Sequence, residues 1–276
     1  MGRAGESVKN IGKKTESSAG EGSKMQQMIG FSDAKRKVAA KLGVDPYSTN
    51  TVLQHELDGI AWASFAGGLT FQVATMPIGG PALTVTGVTS TFDEMLREKS
   101  PADLKILNRK TLLALGAGEK ETERFLNNTA FSPSEQTAFV LNLKLLSGVA
   151  NRGAFVRTAG ETSSDEQDAI FCVQTAALMS RIHESDKPVA RIAVIGDFPI
   201  CVAKDGTIVV ALQWDYAAWT AGAAHFTSEV QKLAAQSGKN KTVLVALSGQ
   251  VSSRLREELE KRAFIVQDRL VTGPLK

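Results

Sequence analysis

The sequence predicts an α+β protein, with a mainly helical N-terminal domain followed by a small α/β domain. Three observations carry this expectation. Capping signatures at Ser100-Pro101, Ser132-Pro133 and Ser164 to Gln167 each open a run with apolar residues at helical spacing. From Pro188 onward, short β-branched runs replace that spacing. The C-terminal part then reads as a β-hairpin followed by βαβαβ-like alternation, which implies parallel pairing. The expected division is a flexible polar tail at 1–24, a helical domain at 25–186 and a small α/β domain at 187–276.

Residues 1–24 are rich in Gly, Ser and Lys, and the pair Val8 and Ile11 is too little to hold a helix. A short helix is expected from Asp33 to Leu42, capped by Ser32 and ended by Gly43. Asp45-Pro46 starts a turn, and Asn50 can cap the next helix. That helix carries Leu53, Leu57, Ile60 and Ser64 on one face and stops near Gly67-Gly68.

From Gly59 to Phe92 the chain has no formal charge. Gly67-Gly68, Pro77 and Gly79-Gly80-Pro81 break this stretch into pieces. None reaches the roughly 20 unbroken apolar residues that a spanning helix needs. Buried core or a subunit interface is therefore expected at 59–92, with membrane contact as an alternative.

Ser100-Pro101, with Asp103, opens a helix running to about Leu115 and Gly116. Ser132-Pro133-Ser134-Glu135 opens another, bearing Phe139, Val140, Leu143 and Leu146. Asn151 to Asp165, rich in Gly, Ser, Thr and Arg, reads as an exposed connection. Ser164 to Gln167 opens a long helix with Ile170, Phe171, Leu178 and Ile182 on one face. Strands are expected at Arg191–Ile195, Ile200–Ala203 and Thr207–Leu212, with Lys204-Asp205-Gly206 as a hairpin turn. A helix from Tyr216 to Gln236 follows, then a buried strand at Thr242–Leu247. A helix capped by Ser252 or Ser253 and a last strand at Phe264–Val266 complete the pattern.

The 276 residues are 43% hydrophobic and 22% charged, enough to bury a core without staples. The net charge of +3 is too weak to argue for nucleic acid, and the Lys and Arg gathered in the first 45 residues read as a solvated tail and helix face. Cys172 and Cys201 are too few for a disulfide scaffold and match no zinc spacing, so buried thiols are expected. A single bond between them in an exported protein is the alternative. The first 24 residues lack an apolar signal core. The chain therefore reads as cytoplasmic, or as exported or envelope protein if Met1 lies within a longer one.

The best ligand-site candidate is the strand-to-helix turn of Ser248, Gly249, Ser252, Ser253 and Arg254, where backbone N–H groups and Arg254 can hold an anion. It carries no Walker, GxGxxG or GxSxG pattern. Asp197 lies between two strands, and Asp215 lies where a strand yields to a helix that it can cap. Trp214, Tyr216 and Trp219 are candidate interface anchors, with Tyr216 and Trp219 expected on one helix face. His55, His183 and His225 share no metal-ligand spacing, and neither a metal nor a cofactor is expected.

With no catalytic constellation in view, the leading expectation is a non-enzymatic, bacterial-type accessory or interaction protein. Its helical domain would pack on a protein partner or on itself as a homo-oligomer. The alternative is an enzyme or small-ligand-binding α/β domain using the loops near Asp197, Asp215 and Ser248. A membrane-associating protein is the second alternative. Geometry separates the first two: convergence of those three residues on one concavity favours the ligand site.

Overall fold

The computed structural model describes residues 28–65, 89–185, 187–236 and 242–270. The architecture is the expected one, helices first and then a mixed five-stranded sheet with its own helices. By compactness the chain divides into two units, Met1–Ile78 with Leu96–Ser100 and Gly79–Met95 with Pro101–Lys276.

In the first unit, helix α1 (residues 28–42) is already formed before Ser32, so Ser32 lies inside it rather than capping it. It ends as expected at Gly43, whose φ of 67° suits glycine. The Gly43 and Val44 N–H groups donate to the Ala40 and Ala39 carbonyls and close the last turn. Asn50 Oδ1 accepts from Val52 and Leu53 N–H and caps α2 (Thr51–Phe65). Val38, Ala39 and Leu57 form the buried seam, flanked by Val44, Leu53 and Ile60. Lys35 bridges to Asp58 at 2.6 Å. Most of the uncharged stretch, residues 66–88, lies outside the described residues. Of its ends, Gly59–Phe65 belongs to α2, and Phe92 is buried in α3 (Thr89–Glu98).

The second unit carries α4 (Pro101–Ala114), α5 (Glu119–Leu126), α6 (Pro133–Leu145), α7 (Arg152–Thr162) and α8 (Glu166–Glu184). Helix α6 is central. Its capping box is complete, with Ser132 accepting from Glu135 N–H and Glu135 accepting from Ser132 N–H. Phe139 packs against Phe125 and Phe155, with ring centroids 5.0 Å apart in each pair. Buried polar groups beside it find partners: Asn108 donates to Thr137 Oγ1 at 3.0 Å, and Gln136 donates to the Leu126 carbonyl.

The expectation of an exposed connection at Asn151–Asp165 is corrected. Residues 152–162 form α7, which buries Ala154, Phe155, Val156, Thr158, Ala159 and Gly160. Small residues here serve a close helix crossing. A Cβ at Gly160 would stand 3.0 Å from the Phe125 backbone nitrogen of α5. Helix α5 itself was not expected, because only Thr122, Phe125 and Leu126 of its mostly charged sequence are buried. Helix α8 starts one residue later than expected, with Asp165 accepting from Asp168 N–H.

The sheet follows: β1 (Val189–Ile195), β2 (Phe198–Ala203), β3 (Ile208–Leu212), β4 (Tyr216–Ala217), α9 (Ala221–Gln236), β5 (Val243–Leu247), β6 (Gln250–Val251), α10 (Ser253–Glu260) and β7 (Ile265–Gln267). The main order is β1-β2-β3-β5-β7. Strands β1, β2 and β3 pair antiparallel, while β3, β5 and β7 pair parallel. Strands β3 and β5 are buried at every residue.

The helix expected from Tyr216 begins instead at Ala221, where Thr220 Oγ1 accepts from Ala223 N–H. Tyr216 and Ala217 form β4, which pairs parallel with β6. Asp215 therefore does not cap a helix, and Tyr216 and Trp219 do not share a helical face.

The boundary expected between residues 186 and 187 falls inside the second unit. Ala150 exchanges backbone hydrogen bonds with Ala190 and Ile192, and Asn151 donates to the Ile192 carbonyl. Among the described residues, no helix is long and apolar enough to cross a membrane.

Cys172 on α8 and Cys201 on β2 are buried free thiols. Burial pushes both up to about 12, helped at Cys172 by the nearby Asp168 carboxylate and opposed by the Ser163 hydroxyl. An unfolded thiol releases its proton near pH 8.5, whereas these hold theirs to about pH 12. Their contribution to stability is therefore complete below about pH 8.5 and declines as pH rises toward 12. We expect iodoacetamide at pH 8 to label both only at the rate of unfolding, and urea midpoints to fall between pH 8 and pH 10. Rapid labelling of either thiol in the folded chain contradicts this.

Candidate functional site

One end of the sheet opens into a cleft of about 1020 Å³. Phe155, Thr158 and Thr162 of α7 and the following Ser163 line part of it, and three further segments bring its acids and most of its aromatic rings. The first is the β1–β2 hairpin turn, where Ile195 pairs with Phe198 and leaves Gly196-Asp197 as a two-residue loop. Gly196 has φ of 57°, as such tight turns require, and this points Asp197 out of the ladder. The second is the first turn of α8, which brings Glu166, Gln167 and Asp168. The third is the stretch after β3, which brings Gln213, Trp214, Asp215 and Tyr216.

The walls are aromatic. Phe171 and Trp214 stack at 6.3 Å, and Phe198 meets Trp214 edge-on at 5.6 Å. Tyr216 is 63% exposed at the rim. Four carboxylates line the cleft, Glu166, Asp168, Asp197 and Asp215, and no Lys or Arg does. None of the four forms an ion pair with another described residue. Asp168 accepts from Ser164 N–H and Oγ, and Asp215 accepts from Gln213 Nε2 at 3.4 Å. Cys172 also lines the cleft, but its raised pKa leaves it a poor nucleophile at neutral pH.

Of the residues expected to carry a site, Asp197 and Asp215 line this cleft and Ser248 does not. Ser248 is 2% exposed. Its Oγ donates to the Trp214 carbonyl at 3.2 Å and lies 3.1 Å from the Trp214 N–H. It thus positions the cleft wall without facing the cleft.

Gly249, Ser252, Ser253 and Arg254 lie outside this concavity. The N–H groups of Gly249, Gln250 and Ser252 donate to the carbonyls of Trp214, Asp215 and Ala217. Ser252 Oγ accepts from Leu255 N–H and caps α10. Ser253 and Arg254 are exposed on that helix's first turn. Of the donors expected to hold an anion, the backbone N–H groups of Gly249, Gln250 and Ser252 are thus engaged within the chain, and Arg254 lies on the exposed face of α10. Arg256, two residues on, pairs with Asp268 at 3.0 Å.

Trp214 is cleft wall and Tyr216 is rim, whereas Trp219 is half-buried beneath the Arg262 guanidinium, 5.0 Å from its ring. His55 is exposed, and His183 Nδ1 accepts from Val189 N–H at 3.0 Å. Among the described residues, no group of three His, Cys, Asp or Glu side chains is placed to hold a metal ion. The carboxylates Glu166 and Asp168 carry no site signal in the sequence, because acids in a first helical turn are explained by the helix dipole.

A second cavity, of about 350 Å³, lies between α9 and the sheet. Its lining is apolar apart from Thr220, Thr227 and the polar ends of Trp214 and Tyr216. Phe198, Trp214 and Tyr216 bound both cavities.

No protein-family model, curated protein or solved structure matches this chain.

A side chain at Gly249 has no space. Its Cβ would stand 2.1 Å from the Asp215 carbonyl oxygen and 2.3 Å from that of Trp214. Gly249→Ala is expected to force β4 and β6 apart and to cost on the order of 2 kcal/mol in urea unfolding. An unchanged midpoint would show that this contact is not required.

Proposed function

We propose that the C-terminal α/β part of the chain is a small-ligand-binding unit, its site the cleft between α8, the β1–β2 turn and the stretch after β3. The ligand class is cationic, or rich in hydrogen-bond donors, with a flat or apolar face. The single observation that carries this reading is the composition of the cleft. Asp197 and Asp215, far apart along the chain, reach it together with Glu166 and Asp168, between aromatic walls and without a cation. A largely preformed concavity with aromatic sides and a few polar groups is the usual form of such sites. The carboxylates accept hydrogen bonds from the ligand, and Trp214 and Tyr216 offer faces to a cation or a ring. Thermal-shift screening of amines, guanidines and neutral polyols against the full chain tests this. Hits from the cationic set are expected, weakened about tenfold or more in Asp197→Asn/Asp215→Asn with the melting temperature kept. Hits confined to anions would refute it.

A second reading, interaction through the helical part, is favoured by one surface. Met28 and Ile29 on α1 and Val52 and Trp62 on α2 are 71%, 62%, 70% and 55% exposed. Phe31 stacks on Trp62 at 4.5 Å, which joins α1 and α2 beside these exposed apolar side chains. On this reading the chain self-associates through α1 and α2. Sedimentation velocity across a concentration series is then expected to show a dimer that Ile29→Ser/Trp62→Ser dissociates. A monomer at every concentration would remove the homo-oligomer reading.

A further inference from the structure

Helix α9 covers the sheet loosely. Of its sixteen residues only Thr227 and Val230 are buried, and Gly222 and Ala223 face the space beneath it. Below lie Val210 and Val245, from strands buried at every position. An apolar cavity of about 350 Å³ here is the size of a small-molecule site, and its lining offers water few partners. Thr227 Oγ1 is already engaged with the Ala223 carbonyl at 2.6 Å.

The cavity does not stand alone. Phe198, Trp214 and Tyr216 line both this cavity and the acidic cleft, so the two adjoin. An apolar chain lying under α9 with its polar end at this shared edge brings that end toward Asp197 and Asp215. Charge complementarity fixes the sign of that end.

We infer that the α9 cavity is a binding site for the apolar chain of a cationic amphiphile, whose positively charged head sits in the neighbouring carboxylate-lined cleft. The inference rests on the ligand-binding reading of that cleft and names the ligand class. The cavity supplies affinity through buried chain length, and the cleft supplies selection for positive charge. No bond is made or broken.

The test is calorimetric titration of the full chain with butylamine, hexylamine, octylamine and decylamine, alongside decanoate and 1-decanol. Affinity for the amines is expected to rise about fourfold per buried CH₂ until the cavity is full. Decanoate is expected to bind more weakly than decylamine. Gly222→Leu adds bulk at the exposed mouth of the cavity and Ala223→Phe adds it on the lining, and both are expected to flatten the chain-length series while butylamine binding persists. Gly222 tolerates a Cβ, whose nearest neighbour would be Thr220 Oγ1 at 3.7 Å, and leucine favours helix over glycine. The first variant therefore keeps the test valid if the second fails to fold.

Equal affinity for all the amines, unaffected by Gly222→Leu, overturns the inference and leaves the cleft reading standing. Chain-length dependence that is the same for decanoate, 1-decanol and decylamine overturns the cationic head while leaving an apolar site. No binding of any amine overturns both.

Discussion

The cleft depends on how the backbone of Trp214 and Asp215 is held. Three donors from the stretch after β5 reach across to it. Gly249 and Gln250 donate to the Trp214 and Asp215 carbonyls at 2.8 Å each, and Ser248 Oγ bonds the Trp214 backbone. The approach is so close that a Cβ at position 249 would overlap two carbonyl oxygens. Each such bond contributes about 0.5–1.5 kcal/mol net. The clamp also aims the chain. It stops β3 from running directly into α9 and turns Trp214 toward Phe171 and Phe198.

Helix α8 supplies the opposing wall, and it is anchored on both sides. Toward the helices it packs on α6, and toward the sheet its Thr175 Oγ1 accepts from Gln213 N–H at 3.1 Å. Phe171, one turn earlier, stacks on Trp214. The same helix thus buries Cys172 and Val173 in the core and presents Glu166 and Asp168 at the cleft. Cleft geometry is therefore coupled to the packing of the helical layer. That coupling is also why the helices from Pro101 onward belong with the sheet, although the sequence changes character at Pro188.

Element type was legible wherever a local signal acts alone. The Ser132 capping box, the Asn50 cap, the Gly43 terminus and the apolar β5 all follow from neighbours within a few residues. Elements set by distant contacts were not. Helix α7 looks like a loop because Gly160 and its small neighbours fit against α5, which no local pattern reveals. Strand β4 looks like the start of a helix because its partner β6 lies more than thirty residues away. Asp197 and Asp215 could be proposed from their strand-end positions, but their convergence with Glu166 and Asp168 is a property of the folded chain. Gly249 suits an anion-holding turn by its place between a strand and a helix, whereas in the fold its cause is a crowded backbone.

The electrostatics of the cleft are those of an open site. Glu166, Asp197 and Asp215 are exposed, so each attracts a positive charge through a medium close to water. A unit pair at 4 Å then gains only about 1 kcal/mol, and salt screens it further. Four such groups bias the cleft toward cations without supplying tight binding. Affinity must come from surface that leaves water. The aromatic walls and the apolar space under α9 provide that surface, at about 25 cal/mol per Å² of apolar area buried. On the proposed reading the labour divides by position: the carboxylates at the open rim select charge, and the apolar lining under α9 sets strength. Ligand binding here should therefore weaken only modestly with salt and steeply with loss of apolar contact.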